Sequence, residues 1–234
     1  MKRNVSLEEI SDGRLYDKND MVRAGCGDCK GCSACCHGMG ESIILDPYDL
    51  WRLTVNLGVT VNELLQEKLE LHVVDGMILP NLRMNPTTSA CGFLDKEGRC
   101  SIHAYRPGIC RLFPLGRYYE DSVEAVSGVR EAGYFRYFLQ VHECPMPNKT
   151  KVKVGKWVDT PQLEQYEAYI RKWHSFLETV EKMLPQMPEE QVKNVNLFVL
   201  KLFFLKLYEA GDFYPQFQER MAMARDVLEL QIES

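Results

Sequence analysis

Residues 26 to 37 read Cys26-Gly27-Asp28-Cys29-Lys30-Gly31-Cys32-Ser33-Ala34-Cys35-Cys36-His37, a run of cysteines three apart that ends in an adjacent pair. A Cys-x-x-Cys step lets one tight turn aim two sulfurs at a metal while backbone amides point at the thiolates, and Gly27, Gly31 and Ser33 suit such turns. Sulfurs so spaced wrap one face of a cube-shaped iron–sulfur cluster, as in the bacterial ferredoxin order of Cys-x2-Cys-x2-Cys with a later Cys-Pro. Cys144-Pro145 supplies such a Cys-Pro here. Neighbouring side chains diverge in most backbone conformations, so Cys35 and Cys36 are expected to face different ways. Two metal centres, or one ligand and one spare thiol, follow.

Four more cysteines, Cys91, Cys100, Cys110 and Cys144, each stand next to turn residues: Gly92, Gly98, Pro107-Gly108 and Pro145. Together with Cys29, Cys32, Cys35 and Cys36 they make enough thiolates for two four-ligand sites, with Cys26 nominated as the thiol left over. Four thiolates around a zinc ion or an oxidised 4Fe-4S cluster leave a formal charge of about -2, which cations would offset. Arg99, Arg106, Arg111 and Arg117 lie among the later cysteines. His37, His103 and His142 are reserve ligands, since a closed site needs only four donors.

The elements that must carry these thiols are short. Asp46-Pro47 reads as a helix start, with Leu50, Trp51, Leu53 and Leu57 on one face and Gly58 as the stop. Thr60 with Glu63 predicts a capping box and a second helix from Val61 to Leu71. Asp75-Gly76 between apolar runs predicts a hairpin, and Asp95 to Gly98 a second turn that brings Cys91 toward Cys100. Leu115 to Glu120 and Tyr134 to Val141 are strand-like, joined by a loop with Ser127-Gly128 and Gly133. Beyond Thr150 there are no cysteines, and helical spacing takes over: Thr160-Pro161 to Leu184, Pro188 to Gly211, and Pro215 to about Ile232.

The fold class expected is therefore α+β: a lead-in over residues 1–25, an irregular cysteine-rich metal-bound domain with short β-hairpins and helices over 26–150, and a C-terminal helical region over 151–234 packed on it. The chain has 234 residues, nine cysteines and a net charge of -5, too few cysteines for a disulfide scaffold and no basic field for nucleic acid. The start lacks an apolar stretch of the secretory kind, and Leu197 to Tyr208 is too short for a membrane span and carries Lys201 and Lys206. A cytoplasmic protein that meets neither nucleic acid nor membrane is expected, with its thiols kept reduced for metal or redox chemistry.

Three motifs carry a resemblance: Cys29-x2-Cys32-x2-Cys35-Cys36; Cys91-Gly92-Phe93-Leu94 with Gly98-Arg99-Cys100-Ser101-Ile102-His103; and Arg106-Pro107-x2-Cys110-Arg111-x2-Pro114. Over about residues 26 to 146 they resemble the YkgJ-type cysteine-cluster family of zinc- or iron-chelating domains, often labelled iron–sulfur oxidoreductases. His103 stands where that family often has tyrosine, and Cys144-Pro145-Met146 where it often has Cys-Pro-Gly; both departures leave the sulfurs in place. The cysteine pattern is also similar to that of flagellin lysine N-methylases, so the resemblance implies metal and not one reaction.

Three functions follow as expectations. The first is a metal-binding protein, iron–sulfur and 4Fe-4S by preference, in redox or protein-maturation chemistry, with an oxidoreductase-like or protein-modifying activity if it is an enzyme. The second is a zinc-stabilised interaction module whose C-terminal helices meet a protein partner or substrate. The third is a lysine N-methylase-like enzyme, which lacks the glycine-rich run that a nucleotide pocket would favour. No catalytic residue can be named from the sequence.

Overall fold

The computed structural model describes residues 6–27, 29, 32–119 and 134–230. The loop containing Ser127-Gly128 and Gly133, Glu120, and the end of the last helix beyond residue 230 lie outside them. The architecture is α+β, with short antiparallel strands around the cysteines and helices toward the C-terminus.

The first 25 residues, expected as a lead-in, carry a helical turn α1 (Leu7–Ile10) and two strands, β1 (Ser11–Tyr16) and β2 (Met21–Gly25). β1 buries only its end residues Ser11 and Tyr16, while β2 alternates with Val22 and Ala24 buried over just five residues. Next come α2 (Pro47–Leu57) and α3 (Val61–Glu67), both opened by complete capping boxes, from Asp46 with Asp49 and from Thr60 with Glu63. Gly58 at φ 67° closes α2, a left-handed position that glycine occupies without steric cost.

The helix expected to reach Leu71 stops at Glu67, because β3 (Leu69–Val74) is drawn into a residue-by-residue ladder with β4 (Met77–Leu82). The two-residue Asp75-Gly76 turn, with both residues at positive φ, fixes that register and so outranks helix periodicity. The hairpin is tied to the helical region by Asn196, which accepts from Ile78 N at 2.6 Å and donates to Gly76 O at 3.0 Å.

α4 (Gly108–Leu112) precedes β5 (Leu115–Tyr119), which pairs with β6 (Phe135–Gln140); β1 adds to the other side to give the order β1-β6-β5. β7 (Thr150–Lys153) pairs with β2 and leads directly into α5 (Val154–Val158).

The three C-terminal helices are α6 (Leu163–Met183), α7 (Glu189–Leu200) and α8 (Phe213–Leu228). α6 opens at Gln162 and not at Thr160, whose hydroxyl instead bonds back to Val158 O. The helix expected to reach Gly211 ends sooner: after α7 the chain makes one π-type turn over Lys201–Leu205, closed by Lys206 N to Lys201 O at 2.9 Å. Arg220 of α8 fills the opening, donating to the carbonyls of Leu202, Lys206 and Leu207. The aromatic stripes are packing surfaces: Tyr166, Phe176, Phe203, Phe213 and Phe217 are fully buried, each contributing about 1.5–3 kcal/mol by removal from water. Among the described residues no helix is long and apolar enough to cross a membrane.

Candidate metal centre

β2 ends at Gly25, paired with Thr150 of β7. A Cβ at Gly25 would collide with the Thr150 hydroxyl and come within 3.2 Å of its carbonyl oxygen, so the missing side chain is what allows this approach. The pairing delivers Cys26 next to the segment that carries Cys144. Gly27 at φ 65° and Cys29 at φ 55° then turn the chain sharply, and Cys32 N closes the turn on Cys29 O at 3.0 Å. The result is a Cys26 Sγ to Cys29 Sγ separation of 3.6 Å. Cys26, Cys29, Cys32, Cys35 and Cys144 line one cleft, whose remaining wall is Ala34, Phe113, Pro114, Pro145, Met146 and Trp157. The ferredoxin-like order of the sequence, a run of cysteines and a distant Cys-Pro, thus shares a single surface.

The remaining thiols gather beneath. Cys36 ends a 3-10 turn (Ala34–Cys36), and its carbonyl accepts the Cys91 N–H at 2.7 Å, while Gly38 N reaches Ser89 O at 2.9 Å. The Asp95-to-Gly98 turn is present, closed by Asp95 N to Arg99 O at 2.8 Å and by a bridge between Leu94 and Cys100, so Cys91 and Cys100 do approach. Cys110 comes in on α4.

These sulfurs feel one another. The Cys36 thiol is pushed well up by its hydrogen bond to Cys35 and by burial, and further by Cys35, Cys100 and Cys91. Burial is the first cause of the raised values of Cys91, Cys100 and Cys110, with neighbouring thiols adding to it. Cys29 is pushed up to about 12 by burial and by its bond to Cys26. Cys35 alone goes down, to about 6, because Cys36 donates to it and the Arg106 guanidinium is near. The adjacent thiols are near enough to act on each other, yet Cys35 lines the cleft while Cys36 lies nearer Cys91 and Cys100, so the two have different surroundings. Among the described residues no three His, Cys, Asp or Glu groups stand ready-spaced around a single ion.

Of the four arginines expected to offset thiolate charge, Arg106 is the one that faces several sulfurs, acting on Cys29, Cys35 and Cys100. It is bonded to His103, and its Nε is buried without a partner among the described residues. Arg111 and Arg117 turn instead toward a buried group of Asp46, Asp49 and Tyr166, and Arg99 is exposed. Lys68, which no local motif singles out, acts on Cys91 and donates to Gly92 O at 2.9 Å. Its position is set by the hairpin register, invisible in local spacing. His37 and His142 are exposed.

The donor chemistry fits a metal: nine free thiols, sulfur donors that a bound cation would deprotonate, with a spare guanidinium N–H beside them. No curated protein and no solved structure matches the chain. A family model does, over residues 28–130, and its description is "Putative zinc- or iron-chelating domain". The match takes in Cys29 through Cys110 and stops short of Cys26 on one side and Cys144 on the other. Residues 28–130, with the cysteine motifs that fall inside them, are thus similar to the CxxCxxCC family of zinc- or iron-chelating domains.

Proposed function

We propose that this is an iron–sulfur protein whose cluster is held by Cys36, Cys91, Cys100 and Cys110 and serves redox or protein-maturation chemistry. The observation that carries the reading is the gathering of these four thiols from four separate stretches of chain, joined through the Cys91-to-Cys36 bond and the Leu94–Cys100 bridge. Zinc sites are commonly built from Cys-x2–4-Cys pairs, and this set contains none. A cube presents one iron to each ligand, so ligands arriving singly from different directions suit it.

A bound cluster supplies one-electron chemistry at a potential that its surroundings tune. Arg106 Nε is available to donate to a cluster sulfur and Lys68 adds a second cation, both of which favour the reduced, more negative state. Phe93, Ile102 and Leu112 are buried in the core against which the half-buried Cys91, Cys100 and Cys110 pack. A reducing compartment such as the cytoplasm suits nine free thiols.

Anaerobic isolation followed by iron and acid-labile sulfide analysis tests this. About four irons and four sulfides per chain, with absorbance near roughly 400 nm, are expected. A colourless protein free of sulfide after iron-replete anaerobic expression overturns it.

A second reading, a zinc-stabilised interaction module, is favoured by the 3.6 Å Cys26–Cys29 spacing, which suits one shared ion. In that reading α7 and α8, which expose Leu197, Met223 and Val227, carry the partner contact.

A further inference from the structure

β3 and β4 form a two-stranded ladder, so each has one edge that the other does not cover. The β4 edge is taken up: Ile78 N donates to Asn196 Oδ1 at 2.6 Å, Leu45 N to Pro80 O at 2.8 Å and Leu82 N to Ile43 O at 3.0 Å. We propose that the other edge, along β3, is an interface on which a second copy of this chain pairs its own β3 antiparallel, with Leu71 against Leu71 across a two-fold axis. The hairpin carries no cysteine, so the proposal goes beyond the metal-binding reading and does not depend on it.

The ladder fixes which backbone groups point outward. In an antiparallel pair alternate residues exchange both of their bonds with the partner strand, and the residues between them turn N–H and C=O away from it. Ile78, Pro80 and Leu82 use such outward groups, so Val73, Leu71 and Leu69, which face them, turn theirs out on the β3 side. Among the described residues the outward groups of Leu71 and Val73 meet no partner. Their side chains are 40% and 71% exposed, on the same face as the buried Leu69. Edge strands are ordinarily blunted by lysine, proline or a bulge. β3, Leu69-Glu70-Leu71-His72-Val73-Val74, has neither residue, and its register with β4 runs without a break.

Charge selects the occupant and the register. Glu70 and His72 share the opposite face of the strand, where Glu41 and Glu70 flank the His72 ring at 3.2 Å and 3.1 Å and Arg83 stands 3.9 Å from Glu70. Outward residues must meet outward residues, so two copies can slide past one another only in steps that keep Leu69, Leu71 and Val73 opposite the same set. With Leu71 on the axis, Glu70 of each copy stands opposite His72 of the other, in the closely spaced kind of pair, and each carboxylate is set to accept an imidazole N–H. One step in one direction puts Glu70 against Glu70, and one step in the other puts His72 against His72. The register centred on Leu71 joins acid to base at both ends and lays Val73 beside Leu69 of the other copy.

A strand of another protein would satisfy the same backbone groups but has no reason to present histidine and glutamate at the two matching positions, whereas a second copy does so by symmetry alone. Pairing of Leu69 to Val73 on each side is a short contact, smaller than the roughly 1,200–2,000 Å² of a standard interface, so association of about micromolar strength is expected.

The test uses the full chain, isolated anaerobically and kept in reductant so that no disulfide links two copies. Sedimentation equilibrium over a range of concentrations should show monomer and dimer in exchange, and hydrogen exchange at the Leu71 and Val73 amides should slow as the dimer fills. Leu71→Lys sets like charges on the axis and should weaken association by about tenfold or more, with the melting temperature of the monomer unchanged. Glu70→Lys should weaken association as well, and Glu70→Lys combined with His72→Glu, which restores opposite charges at both ends, should recover most of that loss. A wild type that stays monomeric at its highest soluble concentration overturns the proposal, as does a dimer indifferent to Leu71→Lys, a combined variant no better than Glu70→Lys, or slowed exchange confined to other elements. Protection of β3 by a strand of another protein while the chain alone remains monomeric overturns it too. Should the variants misfold, the exchange of the wild-type amides on dilution decides.

Discussion

The Asp49 carboxylate accepts the Gly108 N–H at 2.7 Å, joining the first turn of α2 to the first residue of α4, two positions before Cys110. Asp49 also completes the capping box of α2 with Asp46, so a single buried side chain orients one helix start and anchors another. Burial raises its carboxyl, and the Arg111 guanidinium acts against that shift. The placement of Cys110 among the other sulfurs thus depends on a polar contact that is itself buried.

Asp49→Ala should therefore cost both stability and metal. Losing a charged hydrogen-bond acceptor from a buried amide, together with half of a capping box, is worth about 2–3 kcal/mol. Urea unfolding should show that loss, and iron per chain should fall. A variant as stable as wild type would mean that Gly108 N finds another acceptor.

Gly108 itself allows the contact by having no side chain. A Cβ there would collide with the Tyr166 hydroxyl and lie 3.6 Å from both Arg111 Nη2 and Asp49 Oδ1. Gly108→Ala should destabilise by about 1–3 kcal/mol through overpacking. Tyr166→Phe removes the obstructing oxygen, at the cost of the 3.3 Å bond from Arg117. The double variant should be more stable than the sum of the single losses predicts, by about 1 kcal/mol. Strict additivity would place the strain elsewhere.

How much of this could be read beforehand differs by element. The start and stop of α2, the Asp75-Gly76 hairpin and the Asp95–Gly98 turn are written in local chemistry: a capping pair, a left-handed glycine, two-residue turns. β1 and β2 were not legible, because each is held by a partner more than a hundred residues away, with Gly25 paired to Thr150 and Tyr16 to Tyr137. The same distance hid the position of Cys26, and the β3–β4 register, which brings Lys68 to Gly92, hid the part played by Lys68. Cysteine spacing singled out the thiols as candidate ligands. It could not say which sulfurs share a surface, since that is decided by strand pairings and by the 3-10 turn that brings Cys35 against Cys36.

Asp46 gives the fold a dependence on pH. Its carboxyl is held up to about 7, from an ordinary 3.8, by burial and then by Asp49, with Arg117 and Arg111 acting the other way. The folded chain thus holds this proton more firmly than the unfolded chain. The stability it contributes is complete below pH 4 and is lost as the pH rises through 7. Asp46→Asn removes the titration and keeps a good cap. The variant should gain on wild type by ~4 kcal/mol between about pH 4 and pH 7, and by nothing further above that. A difference that is flat across this range would show Asp46 ionised throughout.

Arg220 separates helix packing from metal binding. Its guanidinium is buried, lies 3.5 Å over the Tyr208 ring, and donates to Leu202 O at 2.9 Å, Lys206 O at 2.7 Å and Leu207 O at 2.6 Å. These carbonyls are left over by the π-type turn, which ends in extended backbone at Lys206. Arg220→Met fills the volume but leaves three carbonyls unpaired, a cost of about 3–5 kcal/mol and a drop in melting temperature of about 10 °C. Arg220→Lys, a point charge that cannot span three acceptors, should recover less than half of that. Neither change touches a sulfur, so zinc, iron and sulfide per folded chain should match wild type. Loss of metal in Arg220→Met at a temperature where it remains folded would tie the helical packing to the thiolate sites.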